Sequence, residues 1–450
     1  MATYTIQPSR PFEASYPLSS SDLQVPPCYI RQAFIYSTDK GDVQDLVSRL
    51  QHSLRSFLQP LEDGQLAYPQ LLGRVVTNNG LSSILVEESS SIAFTVVLRP
   101  DIGIEALQPR RGFPDTALPM ADFATGLDLA SMRARHSDLP GFAVQLTVLS
   151  RGLVLVAQVH HQITDGFGFA GFIRHWFKRT RGENIDYEHS AMHDRALLMK
   201  SVDLSTVQED IHGFRTWEKL FHQYPPDSLQ PSPEGSDRIV SQMFHFSPQK
   251  LDALRTAMHE FTSLRPTVFE AFMALALRCV MRARGKNLNT SNSMIAVDMR
   301  ARLAPPLPAD FFGNAFACLL AQQEDTDVIS TVQTSLRRDA TNANLRLINE
   351  YLFQQAQKGI PPPLELLERD FFFNSWEHLF STPGEMDLGV GTFCAMRNLM
   401  DPPFIPSYYL ILPSFGRRGE TGIEVKINLV EEQMERLLAD EEFAKYAVLM

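Results

Sequence analysis

Cysteine is scarce in this chain of 450 residues, and no two of the four cysteines have C-x-x-C spacing. Their scarcity and wide separation argue against a disulfide framework and against a thiolate zinc site. No stretch of about 18 residues is continuously apolar, and the N-terminus lacks a basic segment followed by an apolar one. We therefore expect a cytoplasmic protein with reduced cysteines that is neither secreted nor inserted in a membrane.

Positive charge is also in deficit, since 41 Lys and Arg face 52 Asp and Glu, which gives a formal net charge of −11. Such a balance repels phosphate backbones and anionic membrane surfaces. We therefore predict no nucleic-acid partner and no membrane partner. Several catalytic motifs are missing too: G-x-S-x-G, G-x-x-x-x-G-K-[ST] and H-E-x-x-H.

The length exceeds what one hydrophobic core usually covers, so two domains are expected. Strand patterns and helix patterns mix in both halves, which predicts an α/β fold. The most polar, proline-rich stretch separates the halves. We place an N-terminal domain at 1–190, a crossover linker at 191–235 and a C-terminal domain at 236–450.

The periodicity of apolar residues also predicts individual elements. Strands are expected at about 30–36, 142–149, 153–159, 239–246, 293–298, 315–321, 408–412 and 422–428. Helices are expected at about 43–58, 167–177, 248–259, 269–281 and 431–443, and residues 1–35 at the start of the chain are expected to be extended and rich in turns.

The segment from His160 to Gly166 places two histidines and Asp165 between a predicted strand and a predicted helix. Catalytic groups concentrate at such junctions. A neutral imidazole is the natural general base near pH 7, and a carboxylate four residues on can fix the loop that presents it. His161 is therefore the candidate base, and Asp165 supports it.

The segment has two other interpretations. In the first, one histidine packs under the sheet and Asp165 only caps the following helix. In the second, the histidines and Asp165 bind a metal ion. Adjacent residues at a strand end point to opposite faces, however, so His160 and His161 would rarely share one ion. We predict no metal site.

Two further clusters have weaker local signals. Arg300 and Arg302 follow a predicted strand and precede a proline-rich turn, so they are either solvated or partners of a buried carboxylate. The spaced glycines within 387–391 permit close backbone approach.

Together these segments resemble the BAHD family of acyl-CoA-dependent acyltransferases, in particular its fungal branch typified by trichothecene 3-O-acetyltransferase. The H-x-x-x-D-G motif is complete from His161 to Gly166, whereas the D-F-G-W-G motif keeps only Asp387, Gly389 and Gly391. Further matches follow in the order of the family: Leu18-Ser19-x-x-Asp22, Tyr68-Pro69-x-Leu71-x-Gly73-Arg74, Asp298-x-Arg300-x-Arg302, Gly313-Asn314 and Ser375-Trp376.

The resemblance implies two chloramphenicol-acetyltransferase-like domains with mixed sheets and an active-site channel at their interface. It also implies a monomer with no permanently bound cofactor. Acyl-CoA, with acetyl-CoA as first choice, would be the co-substrate, and a small-molecule alcohol would be the acceptor. His161 would take the proton of the acceptor hydroxyl as it attacks the thioester, without an acyl-enzyme.

The resemblance also implies supporting roles. Asp165 would turn away from the substrate and form a salt bridge with Arg300, or with Arg302 as second choice. Gly166, Asp387, Gly389 and Gly391 would support the site structurally, and Trp376 would line the acyl pocket.

The expected function is transfer of an acyl group from CoA to a hydroxyl of a small secondary metabolite such as a terpenoid, an alkaloid or a polyketide. One alternative is an amide- or ester-forming enzyme like a condensation domain, because His160 and His161 also fit the H-H-x-x-x-D-G motif of those domains. Another is a small-molecule-binding protein that keeps the fold without activity.

Overall fold

The structure of the chain is a computed structural model. It describes residues 1–25, 27–38, 43–58, 67–78, 81–110, 112–125, 139–185, 192–198, 238–288, 291–322, 328–358, 371–400, 407–415 and 421–450. The chain forms two compact units, of which the first comprises Met1–Lys200, Leu307–Ala315 and His378–Asp401, and the second comprises Ser201–Pro306, Phe316–Glu377 and Pro402–Met450.

This division differs from the contiguous one predicted above, because two segments that follow residue 236 belong to the first unit. Apart from 192–198, the predicted linker 191–235 lies outside the described residues.

The first unit is built on a six-stranded mixed sheet. Its strands, in spatial order, are β1 (Ala2–Ile6), β6 (Ile92–Arg99), β7 (Phe142–Leu149), β8 (Gly152–His160), β3 (Tyr29–Ser37) and β13 (Thr392–Asn398). Only β6 and β7 pair in parallel. Antiparallel hydrogen bonding of β13 to β3 explains why the segment around it belongs to this unit.

A second, three-stranded antiparallel sheet in the same unit has the order β2 (Ala14–Pro17), β5 (Leu81–Val86) and β4 (Arg74–Asn78). The α-helices described in this unit are α1 (Ser20–Leu23), α2 (Val43–Ser56), α3 (Met120–Phe123) and α4 (Gly166–Thr180). The first 35 residues are thus more regular than predicted, since β1, β2, α1 and the start of β3 lie in them. Strands at the edge of a sheet are stabilised by distant partners, which a local pattern does not show.

Helix α4 joins α2 through a buried indole. Trp176 donates from Nε1 to the carbonyl oxygen of Leu50 and to Oγ of Ser53, at 3.1 Å each. Ser53 also lies 2.8 Å from the hydroxyl of Thr180. An indole N–H that is buried needs such acceptors, so this contact fixes α4 along α2.

The second unit contains a seven-stranded mixed sheet. Its strands, in spatial order, are β11 (Phe316–Gln322), β10 (Asn292–Asp298), β12 (Phe371–Ser375), β14 (Tyr408–Phe415), β15 (Thr421–Val430), β9 (Ile239–Phe246) and β16 (Val448–Leu449). Strand β12 runs parallel to both of its neighbours. The helices of the second unit, among the described residues, are α5 (Pro248–His259), α6 (Val268–Arg284), α7 (Val328–Asp339), α8 (Asn342–Gln357), α9 (Glu431–Leu438) and α10 (Glu441–Tyr446).

The strands and helices predicted above are present, and both units are mixed α/β structures, so the predicted fold class is confirmed. Helix α6 begins with the capping box formed by Thr267 and Glu270. The predicted final helix is two helices, because Asp440 interrupts it and caps α10 through the backbone N–H of Phe443. Within the described ranges, no helix is both long and apolar enough to span a bilayer.

The segment at 386–391 approaches strand β3 of the first unit closely. Tyr36 donates its hydroxyl to the carbonyl oxygen of Met386 at 2.6 Å, and Gly389 donates its N–H to Oδ1 of Asp387 at 2.8 Å. Gly389 and Gly391 have φ values of +69° and +68°. A Cβ atom on Gly391 would overlap the carbonyl oxygen of Ser37. Gly391 therefore serves close backbone approach, whereas Gly389 serves only the left-handed backbone conformation.

We predict that Gly391→Ala lowers the free energy of unfolding by about 2 kcal/mol or more, because it adds a steric overlap to a left-handed backbone. Gly389→Ala adds only the strain of a left-handed backbone, without a steric overlap, and should lower the free energy of unfolding by about 1 kcal/mol. Gly384→Ala is the matched control, since its Cβ would meet only Oγ1 of Thr382, at 3.7 Å. Urea denaturation measures all three, and equal losses for Gly391→Ala and Gly384→Ala would contradict the prediction.

Candidate active site

His161 follows directly on the last residue of β8, a strand buried along its whole length. The ladder between β8 and β3 ends with Tyr29 opposite His160, and the backbone N–H of His161 donates to the carbonyl oxygen of Cys28 at 2.8 Å. His160 is buried, whereas His161 is partly exposed. The predicted strand-to-helix junction is confirmed, with Gly166 as the first residue of α4.

Both oxygens of the Asp165 carboxylate accept hydrogen bonds from backbone N–H groups. Oδ1 accepts from Gly168 at 2.9 Å, which makes Asp165 the N-cap of α4, and Oδ2 accepts from Ala315 at 2.8 Å. The N–H of Asp165 lies 3.4 Å from the carbonyl oxygen of Gly313. The carboxylate of Asp165 thus caps α4 and also fixes the loop between β8 and α4.

The imidazole of His161 is held by the side chain of Asn314, whose Oδ1 lies 3.1 Å from Nδ1. The amide Nδ2 of Asn314 donates to the carbonyl oxygen of His161 at 2.7 Å and to Oδ1 of Asp22 at 2.9 Å. Asp22 forms an ion pair with Arg195, with Oδ2 2.8 Å from Nε, and neither side chain is more than 4% exposed. The imidazole of the candidate base is therefore connected, through Asn314, to the buried ion pair of Asp22 and Arg195.

No role is predicted above for Asn314, Asp22 or Arg195. The sequence carried two partial signals for them: the S-x-x-D spacing of Ser19 and Asp22, and the Gly-Asn pair at 313–314. The structure shows a capping box at Ser19 and Asp22, so the same carboxylate starts α1 and supports the site. Nothing local distinguishes Arg195 from a solvated surface charge.

Burial lowers the pKa of both histidines. For His161, desolvation lowers the pKa below its usual 6.5, and hydrogen bonding together with the charges of Asp165 and Asp22 offsets part of this effect. For His160, burial and the neighbouring His161 lower the pKa to about 4. Both imidazoles are therefore neutral near pH 7, the protonation state that a general base needs.

The remaining predicted site residues are in the second unit. Arg300 is buried and donates to Oδ1 of Asp298 at 2.8 Å, while Arg302 donates to the carbonyl oxygen of Asp298 at 2.8 Å. Trp376 is buried directly after β12, with its backbone N–H bonded to the carbonyl oxygen of Ile411 at 2.8 Å. The salt bridge between Arg300 and Asp165 and the acyl-pocket role of Trp376 stay predictions.

One group of side chains of metal-ligand type, Cys279, Asp440 and Glu442, occurs among the described residues. The guanidinium of Arg282 donates to Sγ of Cys279 at 3.2 Å and also to both carboxylates. Burial, together with these carboxylates, raises the pKa of the Cys279 thiol. A thiol that stays protonated beside a fixed cation is a poor metal ligand.

Comparisons with known proteins identify the family to which the chain belongs. The family model of the Transferase family, whose members are the BAHD acyltransferases, matches residues 1–444. The chain belongs to this family. It is accordingly an acyltransferase of the type that moves groups other than aminoacyl groups.

Among curated proteins, trichothecene 3-O-acetyltransferase TRI101 of Fusarium sporotrichioides is 23% identical over 93% of this chain and 93% of that protein. Vinorine synthase of Rauvolfia serpentina is 24% identical, over 98% of this chain and 97% of its own length. Stemmadenine O-acetyltransferase of Catharanthus roseus is 25% identical over 67% of this chain, and the match spans 65% of that protein, just under two thirds of its length.

Solved structures agree on the fold. The crystal structure of TRI101 from F. sporotrichioides, complexed with coenzyme A and T-2, matches with a TM-score of 0.76 at 22% identity, over 97% of this chain and 99% of that one. Vinorine synthase matches with a TM-score of 0.70 at 20% identity, over 98% and 97%.

We predict that protonation of His160 couples stability to pH. Its pKa is about 4 in the folded chain, against 6.5 for an unperturbed histidine, so the unfolded chain binds more protons between these values and stability falls as pH drops through this window. Between pH 7 and pH 5 this histidine should remove about 2 kcal/mol of unfolding free energy.

Urea denaturation of the wild type and of His160→Asn across this pH range tests the coupling. Asparagine keeps an acceptor near the position of Nδ1, which accepts from the N–H of Gln162 at 3.3 Å. The variant should be less stable at pH 7, and its deficit should shrink by about 2 kcal/mol at pH 5. A deficit that stays constant with pH would contradict the assigned coupling.

Proposed function

We propose that the protein transfers an acyl group, acetyl in the first place, from acyl-CoA to a hydroxyl of a small secondary metabolite, with His161 as general base. The observation that carries this proposal is the imidazole of His161, held between the loop fixed by Asp165 and the amide of Asn314 at a place where burial lowers its pKa. The reaction needs a fixed and neutral imidazole for the step that water performs poorly, removal of the hydroxyl proton.

The reaction is balanced without an acyl-enzyme. The imidazole takes the proton of the acceptor hydroxyl as its oxygen attacks the thioester carbon, and a C–O bond forms. The tetrahedral oxyanion then collapses, the C–S bond breaks, and the imidazolium returns the proton to the departing sulfur of CoA. One side chain thus serves as base in the first step and as acid in the second.

The comparisons support this proposal in two respects. TRI101 structures hold coenzyme A together with T-2 or with deoxynivalenol, so that protein accommodates coenzyme A and a second small molecule at once. The full-length curated relatives include acyltransferases of fungi and plants. We therefore propose a CoA thioester as co-substrate, bound only during turnover, and acceptors from the terpenoid, alkaloid or polyketide classes.

The first test is release of free thiol from acetyl-CoA in the presence of a panel of terpenoid, alkaloid and polyketide alcohols. We expect acceptor-dependent release by the wild type and a loss of about 10²- to 10⁴-fold in kcat for His161→Ala, because the general base is removed. Calorimetry should show that this variant still binds CoA, since its imidazole is not proposed to hold the donor.

The matched control is His52→Ala, which removes an exposed histidine on α2 of the same unit and should leave kcat unchanged. Equal rates for His161→Ala and the wild type would rule out His161 as base. Absence of CoA binding by the wild type would overturn the acyl-CoA assignment itself.

A second prediction concerns Asp165→Asn. An amide offers one oxygen, so one of the two N–H groups of Gly168 and Ala315 would face an NH2 group instead of an acceptor. Asparagine is a good N-cap, and we expect it to keep the bond to Gly168 and to lose the one to Ala315. The expected results are a lower kcat and a loss of about 1–3 kcal/mol in unfolding free energy.

Thiol release and urea denaturation measure both effects, with Asp45→Asn on α2 as control. Asp45 is 57% exposed and forms an ion pair with Arg49 one turn along the same helix, so its substitution should change little. A fully active and fully stable Asp165→Asn variant would contradict the role of this carboxylate, including the proposed salt bridge with Arg300.

A further inference from the structure

We propose that Asn314 is a positioning residue that holds His161 in the tautomer with its proton on Nδ1, and that the buried pair of Asp22 and Arg195 fixes the amide of Asn314 for this purpose. Nε2 is then the nitrogen that takes the proton of the acceptor hydroxyl. The inference rests on the proposed function of His161 and adds which nitrogen reacts and what selects it.

The orientation of the Asn314 amide follows from its partners. One end of the amide faces two groups that can only accept hydrogen bonds, the carbonyl oxygen of His161 and Oδ1 of Asp22, at 2.7 and 2.9 Å. Only the NH2 end can satisfy both, because a flipped amide would place its oxygen against a carboxylate and a carbonyl. The oxygen of the amide therefore faces the imidazole.

The tautomer of His161 follows from this orientation. Oδ1 of Asn314 has no proton to give, so the 3.1 Å contact with Nδ1 is a hydrogen bond only if Nδ1 is the donor. A neutral imidazole carries a single N–H. Its other nitrogen, Nε2, therefore has the lone pair that a general base uses.

Asp22 fixes the side-chain amide of Asn314 by hydrogen bonding. Its Oδ1 accepts from both the side-chain and the backbone N–H of Asn314, each at 2.9 Å. Its Oδ2 accepts from Nε of Arg195 and from Ser19, each at 2.8 Å. A buried carboxylate with this many donors is fixed in position, and the amide that it holds is fixed too.

Arg195 connects Asp22 to the loop that carries His161. Nη2 of Arg195 donates to the carbonyl oxygen of Ile163 at 2.6 Å. The ion pair therefore contacts both the segment that carries Asn314 and the loop that carries His161. Small displacements of the Arg195 side chain would change the orientation of the His161 imidazole. Misplacement of a catalytic group by about 1 Å can cost 10²-fold in rate.

The neighbouring His160 provides an internal reference. Its Nδ1 accepts a hydrogen bond from the backbone N–H of Gln162 at 3.3 Å, so a neutral His160 carries its proton on Nε2. The structure thus assigns opposite tautomers to two consecutive histidines.

Two-bond ¹H–¹⁵N NMR correlations of the full chain, labelled with ¹⁵N-histidine, test the proposal. The spectra of His161→Ala and His160→Asn assign the two signals. We expect a protonated Nδ1 for His161 and a protonated Nε2 for His160 in the wild type near pH 7.5. A protonated Nε2 on His161 would overturn the proposal whether or not the protein transfers acyl groups.

Asn314→Ala tests the cause of the tautomer. We expect the Nδ1 proton signal of His161 to give way to a mixture of tautomers, the signal of His160 to stay, and kcat for thiol release to fall by about 10- to 100-fold with little change in KM for acetyl-CoA. A variant that keeps both the Nδ1 proton and full kcat would overturn the role of Asn314.

Ser53→Ala is the control for stability. It removes a buried hydroxyl between α2 and α4, remote from this network, and should destabilise the first unit without moving either histidine signal. A shift of the His161 signal in Ser53→Ala equal to that in Asn314→Ala would show that loss of stability, and not loss of the amide, sets the tautomer. Because the NMR measurement needs no turnover, failure of the proposed activity and failure of the tautomer assignment are distinguishable.

Discussion

The geometry of the candidate site depends on one buried carboxylate that serves two distant parts of the chain. Asp165 caps α4 through Gly168 and accepts the N–H of Ala315 with its other oxygen. A buried carboxylate needs such compensation, so the start of the helix and the position of residue 315 are fixed together. Asn314 immediately precedes that residue, and the bond that holds Ala315 therefore also helps to place the amide that contacts His161.

Local features of the fold could be predicted from the sequence because they depend on residues close to each other in the chain. Strand β8 and helix α4 both have this origin. The position of His161 at a strand-to-helix junction follows from the same patterns. Assignment of the α/β class to both halves required no more than these periodicities, whereas the mixed sheets were expected from the resemblance to the BAHD family.

Features that depend on distant partners could not be predicted in this way. Strand β13 belongs to the first sheet only because β3 offers it a free edge, and no property of residues 392–398 alone indicates that partner. The same holds for the support of the base. Asp22 carries a recognisable local signal, as part of a capping box, but its contacts with Arg195 and Asn314 join three separate segments.

A neutral amide between the imidazole and the buried ion pair has an electrostatic consequence. A carboxylate bonded directly to Nδ1 would favour imidazolium, whereas an amide orients the ring and leaves burial as the main influence on the pKa of His161, which it lowers. In the proposed reaction the imidazolium formed during attack is therefore a stronger acid than histidine in water. This acidity favours return of the proton to the sulfur of CoA, so the surroundings that keep the base neutral before the reaction also promote expulsion of the leaving group.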